Sequence, residues 1–137
     1  MNNVYIEDNS FKNTDEYSDF LGNNPVVGFL KIRAYAANQA VPINNLKIVV
    51  SKKIGNNNVI FFEGFTDESG TIEKIALPTK RLNLSNTDVP KSTAYDIIAT
   101  YQEDNIQKIY KVNIYENIYV IQNINIVPNM NFELRRV

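Results

Sequence analysis

Few residues of this chain can do chemistry, because the sequence contains no histidine, no cysteine and no tryptophan. It therefore lacks the side chain that normally titrates near neutral pH, a thiol nucleophile and the commonest transition-metal ligands. The adjacent carboxylates Asp15/Glu16 and Glu103/Asp104 remain as general-acid candidates. Adjacent charges in polar segments are typical of a solvated surface. We predict no catalytic residue, no cofactor and no enzymatic activity.

A second candidate site is the run from Thr66 to Gly70, which reads Thr-Asp-Glu-Ser-Gly. Asp67 and Glu68, together with Asp88, offer oxygen ligands for calcium, but calcium usually takes six or more oxygens. The same run is typical of a tight turn, in which an aspartate accepts local N–H groups and a glycine adopts a positive φ. We interpret Thr66, Asp67 and Gly70 as a structural turn and predict no metal site.

The elements that must position these residues are strands, because apolar side chains alternate from Val26 onward. Turn signals separate seven such segments: 28–35, 46–51, 59–65, 71–77, 94–101, 106–115 and 118–127. The adjacent rings of Phe61 and Phe62 should then lie on opposite faces of one strand. The predicted fold class is all-β, a seven-stranded antiparallel two-sheet sandwich of the transthyretin-like or immunoglobulin-like type.

Residues 1–25 form an acidic, asparagine-rich arm before the sandwich domain of residues 26–128 and a tail of residues 129–137. The run from Thr14 to Gly22 predicts one short helix, with Thr14 as its cap and Gly22 as its end. Such a helix is marginal alone and must dock on its own domain or on a partner. The functional interpretation is an assembly arm that lays four apolar residues on a neighbouring subunit: Phe11, Tyr17, Phe20 and Leu21.

Composition and charge limit the classes of partner that the chain could bind. With 44% hydrophobic and 21% charged residues the chain is typical of a globular protein, and its net charge of −1 gives no field that favours nucleic acid or an anionic membrane. No stretch is apolar enough to insert into a membrane. The N-terminal residues lack the pattern of a signal peptide, so we expect synthesis in the cytoplasm without one.

Several motifs resemble carboxypeptidase-regulatory-like domains, which are transthyretin-like sandwiches. They are the run Gly28 to Ile32, Val41-Pro42-Ile43 followed by Leu46 to Val50, Thr66 to Gly70, Ile75 to Pro78, and the tyrosine-rich run Tyr95 to Tyr101. The resemblance covers residues 26–128 and is closest to versions from low-GC Gram-positive bacteria. It departs from the family pattern at Asn44-Asn45-Leu46. The family implies a fold more strongly than a function.

Two reactions associated with similar folds find little support in the residues. Transthyretin-like proteins include a hydrolase of purine-degradation intermediates that depends on histidines and a C-terminal motif, and this chain has neither. Related pilin-type sandwiches form Lys–Asn crosslinks, for which Lys31 with Asn123 or Asn125 supplies the residue types. Lys31 alternates out of phase with Leu30 and Ile32, so we expect it to face solvent.

We therefore predict a non-catalytic binding subunit, an accessory protein of a bacteriophage or phage-tail-like particle such as a baseplate, tail or capsid decoration. Its partners would be other protein subunits, and its location the particle. The reason for this prediction is that the sequence resembles extracytoplasmic modules but shows no secretion signal. The alternative is a cell-wall or carbohydrate-binding accessory beside a peptidoglycan-lytic system, with cell-wall glycan as its partner.

Overall fold

The computed structural model describes residues 5–6, 14–36, 40–82, 90–101 and 106–126. Within these ranges the order of elements is β1(Tyr5–Ile6), α1(Asp15–Asn23), β2(Val26–Ala36), β3(Val41–Pro42), β4(Lys47–Ile54), β5(Asn57–Phe65), β6(Thr71–Thr79), β7(Thr93–Tyr101), β8(Ile106–Ile114) and β9(Tyr119–Asn125). The seven predicted strands are present as β2 and β4 to β9. The two-residue strands β1 and β3 were not predicted.

The strands form two sheets around one core, which confirms the predicted β-sandwich. One sheet has the order β1-β5-β4-β7-β8. In the other, β2 pairs with β3, β6 and β9. Alternate side chains on the inner faces of both sheets are fully buried in one hydrophobic cluster, among them Leu30 and Ile32 from β2 and Ile48 and Val50 from β4.

Two strand pairs depart from the antiparallel pairing predicted for the sandwich. Strand β9 runs parallel to β2, from Phe29 opposite Tyr119 to Tyr35 opposite Asn125. Strand β1 runs parallel to β5. The chain leaves β8 in one sheet and enters the other sheet beside β2 through residues 115–118, and this crossover sets the direction of β9. A hairpin connection would have made the neighbours antiparallel.

A β-bulge changes the expected placement of the two phenylalanines on β5. Val50 pairs with Phe62 and Ser51 pairs with Ile60, so Phe61 is the extra residue. A bulge interrupts the strict alternation of side chains. Both rings are half-buried and pack against the hydrophobic cluster instead of lying on opposite faces.

The predicted helix is present and docks on its own domain. Thr14 caps it by accepting the N–H of Tyr17 at 3.4 Å. The helix continues through Gly22 to Asn23, and Asn24 is the C-cap, so the prediction that Gly22 ends it was wrong. The buried ring of Phe20 lies 5.6 Å from that of Phe61, which in turn lies 5.3 Å from the ring of Tyr95.

Among the described residues, no helix could cross a membrane. The one helix among the described residues, α1, has nine residues and is neither long nor apolar enough to cross a bilayer.

Replacing Phe20 by alanine should destabilise the domain by about 3 kcal/mol, because it leaves a cavity in a packed aromatic cluster. The matched variant Leu21→Ala should change stability by less than about 0.5 kcal/mol, because that side chain is exposed. Urea unfolding followed by circular dichroism measures both values. Equal losses for the two variants would contradict the docking of α1 through Phe20.

Candidate functional site

An open cavity of about 640 Å³ lies beside the C-terminal end of α1. This volume lies within the range of small-molecule sites in proteins. The residues that line it come from α1 and its C-cap, from β4, and from the segments that leave β6 and enter β7: Phe20, Gly22, Asn23, Asn24, Pro25, Lys52, Lys80, Arg81 and Lys91. Four of these nine side chains are cationic.

The four cations converge from distant parts of the sequence. Lys52 lies on β4, Lys80 and Arg81 directly follow β6, and Lys91 precedes β7. None of the described lining residues is acidic. Among the described residues, the ion pairs join other lysines to carboxylates, and the four cavity cations take part in none of them. The cavity therefore concentrates positive charge in a chain whose net charge is −1.

Hydrogen bonds hold the helical wall of the cavity in place. Asn24 is 5% exposed, and its Nδ2 donates to the carbonyl of Phe20 at 2.8 Å. Its Oδ1 accepts from the hydroxyl of Thr93 at the start of β7. The end of α1 is thus tied to the strand that follows Lys91, and buried amide and hydroxyl groups are satisfied.

Hydrogen bonds also hold the segment at the end of β6, which carries Lys80 and Arg81. The hydroxyl of Thr79 donates to the carbonyl of Ile114 at 2.6 Å, and that of Tyr95 donates to the carbonyl of Pro78. The N–H of Leu82 donates to Oε1 of Glu116 at 2.7 Å. These contacts lie on both sides of Lys80 and Arg81 in the sequence, and they anchor the segment that carries the two cations.

Lys52 differs from the other cavity cations in its surroundings. Its Nζ donates to the carbonyl of Ala94 at 2.8 Å and lies 5.7 Å from the centre of the Tyr95 ring. Partial burial lowers its pKa, and the neighbouring charges of Lys80 and Lys111 lower it further, while Asp96 acts in the opposite direction. The amine is therefore easier to deprotonate than an exposed lysine.

The chemistry of these lining groups suits anions. Lysine ammonium and arginine guanidinium groups form short charge-assisted hydrogen bonds to carboxylate and phosphate oxygens, and arginine can do so with two parallel bonds. Among the described residues, no group of three or more acidic side chains comes together that could hold a metal ion. The arrangement thus has donors for an anionic ligand.

The residues predicted for an assembly arm lie in different surroundings. Phe11 is outside the described residues. Tyr17 and Phe20 pack against Phe61 of their own domain, with Tyr17 at 6.3 Å between ring centroids. Leu21 is 38% exposed, so a neighbouring subunit could reach it.

The run from Thr66 to Gly70 forms a closed turn. Oδ1 of Asp67 accepts the N–H groups of Ser69 at 2.9 Å and Thr71 at 3.0 Å. Gly70 has a φ of +76°, and a Cβ there would lie 2.4 Å from the carbonyl oxygen of Ala34. The hydroxyl of Thr66 donates to the carbonyl of Ile43, so the turn is fixed to the loop before β4.

Asp67 and Lys31, described candidates for the two alternative chemistries, have other partners. Asp88, the third calcium candidate, lies outside the described residues, and Asp67 spends its carboxylate on the turn. Lys31 pairs with Glu73 at 3.3 Å on the outer face of β2. It lies opposite Ile121 in the register, and not opposite Asn123 or Asn125.

Sequence reasoning missed the cationic cavity. Its four cations are separated by up to 39 positions (52 to 91), so no local run of basic residues marks the cavity. The available signal was that Lys80, Arg81 and Lys91 lie in the aperiodic run 78–93, which the sequence predicts as a loop, and loops carry binding residues more often than strands do. The contribution of Lys52 could not be found without the pairing of β4 with β7.

No family model matches this sequence, and no curated protein matches it. Among solved structures it is similar to 5-hydroxyisourate hydrolase from Klebsiella pneumoniae, with 13% identity and a TM-score of 0.47 over 72% of this chain and 90% of that one. It is also similar to (S)-allantoin synthase, with 10% identity and a TM-score of 0.46 over 80% of this chain. The match spans 45% of the length of the synthase.

These comparisons correct one expectation drawn from the sequence. The prediction that the chain is not an enzyme was wrong as a deduction from missing histidine and cysteine, and both of the similar structures carry the names of enzymes. The absence of two residue types excludes particular mechanisms only. Lysine, tyrosine, serine and carboxylate side chains also act as nucleophiles, acids and bases.

Asp67 makes a pH-dependent contribution to stability. The hydrogen bond from the Thr71 N–H, the largest cause, holds the pKa of this carboxyl below its ordinary value. A lowered folded pKa gives stability that is present above the unfolded value and lost as the pH falls through the folded one. The melting temperature of the wild type should therefore exceed that of Asp67→Asn most at neutral pH, and the gap should narrow below about pH 4. A gap that stays constant in acid would refute this role.

Proposed function

We propose that this chain is a binding module that accepts a small multivalent anion in the cationic cavity. The observation that carries the proposal is the convergence of Lys52, Lys80, Arg81 and Lys91 on one cavity whose described lining residues include no acid. Like charges held together repel one another, and a bound anion relieves that repulsion. A ligand with at least two negative charges fits this set better than a single carboxylate.

The local nature of the charge supports a small ligand. The chain as a whole has a net charge of −1, so its overall charge gives no general attraction for a large polyanion. The apolar lining residues Phe20 and Pro25 stand beside the cations and add a surface for a carbon skeleton. The class we propose is therefore an organic phosphate or a di- or tricarboxylate.

Titration calorimetry with inorganic pyrophosphate at low ionic strength tests the anion site. Reversal of one cavity charge in Lys91→Glu should weaken binding at least about tenfold, equal to about 1.4 kcal/mol. Lys53→Glu is the matched control, because it makes the same change in net charge at an exposed position on β4. Equal affinity in the two variants, or no binding by the wild type, would overturn the proposal.

A second candidate is the particle-assembly subunit predicted from the sequence, and a different surface supports it. On the outer face of the sheet that contains β2, Phe29 stacks on Tyr119 at 4.9 Å. Tyr119 and three apolar neighbours are 40% to 53% exposed: Val27, Ile118 and Ile121. We call these four residues and Phe29 the outer patch. Exposed apolar patches of this kind are typical of protein-binding surfaces.

Sedimentation velocity at rising concentration tests the outer patch as an assembly surface. If it joins copies of the chain or other subunits, Ile121→Lys should abolish the complex, because it places a charge in the contact. Ile109→Lys, at an isoleucine that is 65% exposed on β8, should leave the complex intact. A wild type that stays monomeric and binds no particle in an induced lysate would refute this candidate. Retention on purified peptidoglycan would favour the cell-wall alternative.

A further inference from the structure

The position of Lys52 sets it apart from the other three cavity cations. It projects from a strand in the middle of a five-stranded sheet, whereas Lys80, Arg81 and Lys91 follow or precede strands. The carbonyl of Ala94 and the ring of Tyr95 hold its amine at the cavity wall. Because Lys52 lines the cavity, its side chain borders the space that a ligand would occupy there.

We propose that Lys52 is a nucleophile that forms an imine with an anionic aldehyde or ketone bound in the cationic cavity. The inference rests on the proposed anion site, because Lys80, Arg81 and Lys91 would hold the anionic end of the ligand. Lys52 would then meet its carbonyl carbon. Holding two reacting groups together in this way makes the step effectively intramolecular.

Partial burial and nearby cations make the amine of Lys52 easier to deprotonate than that of an exposed lysine. Partial burial lowers the pKa of Lys52, the charges of Lys80 and Lys111 add to this effect, and Asp96 opposes it. Asp96 is engaged by Lys111 at 3.0 Å, so its charge is shared. A lysine that is desolvated and placed beside other cations is activated as a Schiff-base nucleophile. The buried phenol of Tyr95 has a raised pKa and stays neutral beside it.

The reaction is balanced without an oxidant or reductant. The lone pair of the neutral Nζ attacks the carbonyl carbon, and the C=O electron pair moves to oxygen, which gains a proton as nitrogen loses one. The resulting carbinolamine then loses its hydroxyl group as water after protonation. Nitrogen gives up its second proton to solvent as the C=N bond forms. The products are one imine and one water molecule.

Pyridoxal 5′-phosphate, an aldehyde with a phosphate group, is the probe for this reaction. After incubation at neutral pH and reduction with borohydride, peptide mass mapping should find the adduct on Lys52 at least about tenfold more often than on any other lysine, because the neighbouring cations hold the phosphate end of the aldehyde beside that amine. Pyridoxal, which lacks the phosphate, should label Lys52 poorly. Even labelling of the lysines, or equal labelling by both aldehydes, would overturn the proposal.

Two variants separate the amine from the charge. Lys52→Arg keeps a cation but has no nucleophilic amine, so it should yield no adduct at position 52. Lys53→Arg should behave as the wild type. If pyridoxal 5′-phosphate displaces pyrophosphate without an adduct on Lys52, the imine is refuted while the anion site stands. If neither probe binds, both proposals are refuted.

Discussion

The aromatic contact between α1 and the five-stranded sheet is the interaction on which the candidate site depends. Phe20 packs on Phe61, and Phe61 packs edge-on against Tyr95. A helix of nine residues has little stability of its own, so this contact keeps it folded and in place. Its C-terminal residues form one wall of the cavity, and the Tyr95 ring in the same cluster lies beside Lys52. Apolar packing thus positions a polar site.

A second constraint is the closure of the sandwich by hydroxyl groups. Tyr95 and Thr79 each donate across the gap between the sheets to a backbone carbonyl, and Thr93 donates to Asn24. These bonds satisfy buried polar atoms. Each such atom left without a partner would lower the stability of the domain by on the order of 1–3 kcal/mol. They also fix the ends of β6 and β7. The cations that follow or precede those ends are therefore held near one another despite their repulsion.

Much of the architecture could be predicted because its causes are local. Alternation of apolar residues located the seven longer strands, and a threonine followed by acids located α1. The turn at Asp67 and Gly70 follows from the hydrogen-bonding and backbone preferences of those residue types. The parallel pairing of β9 with β2 and the bulge at Phe61 depend on contacts between distant segments. The cavity depends on the same distant contacts, and its charges are scattered along the sequence.

The central claim is that these scattered charges form one anion site. Titration of the ¹⁵N-labelled protein with pyrophosphate, followed by amide chemical shifts, tests it directly. The account predicts saturable shifts confined to residues 20–24, 52, 80–82, 91 and their immediate neighbours. Shifts that are absent, or that spread equally to Lys31, Lys47 and Lys108 on other surfaces, would contradict it.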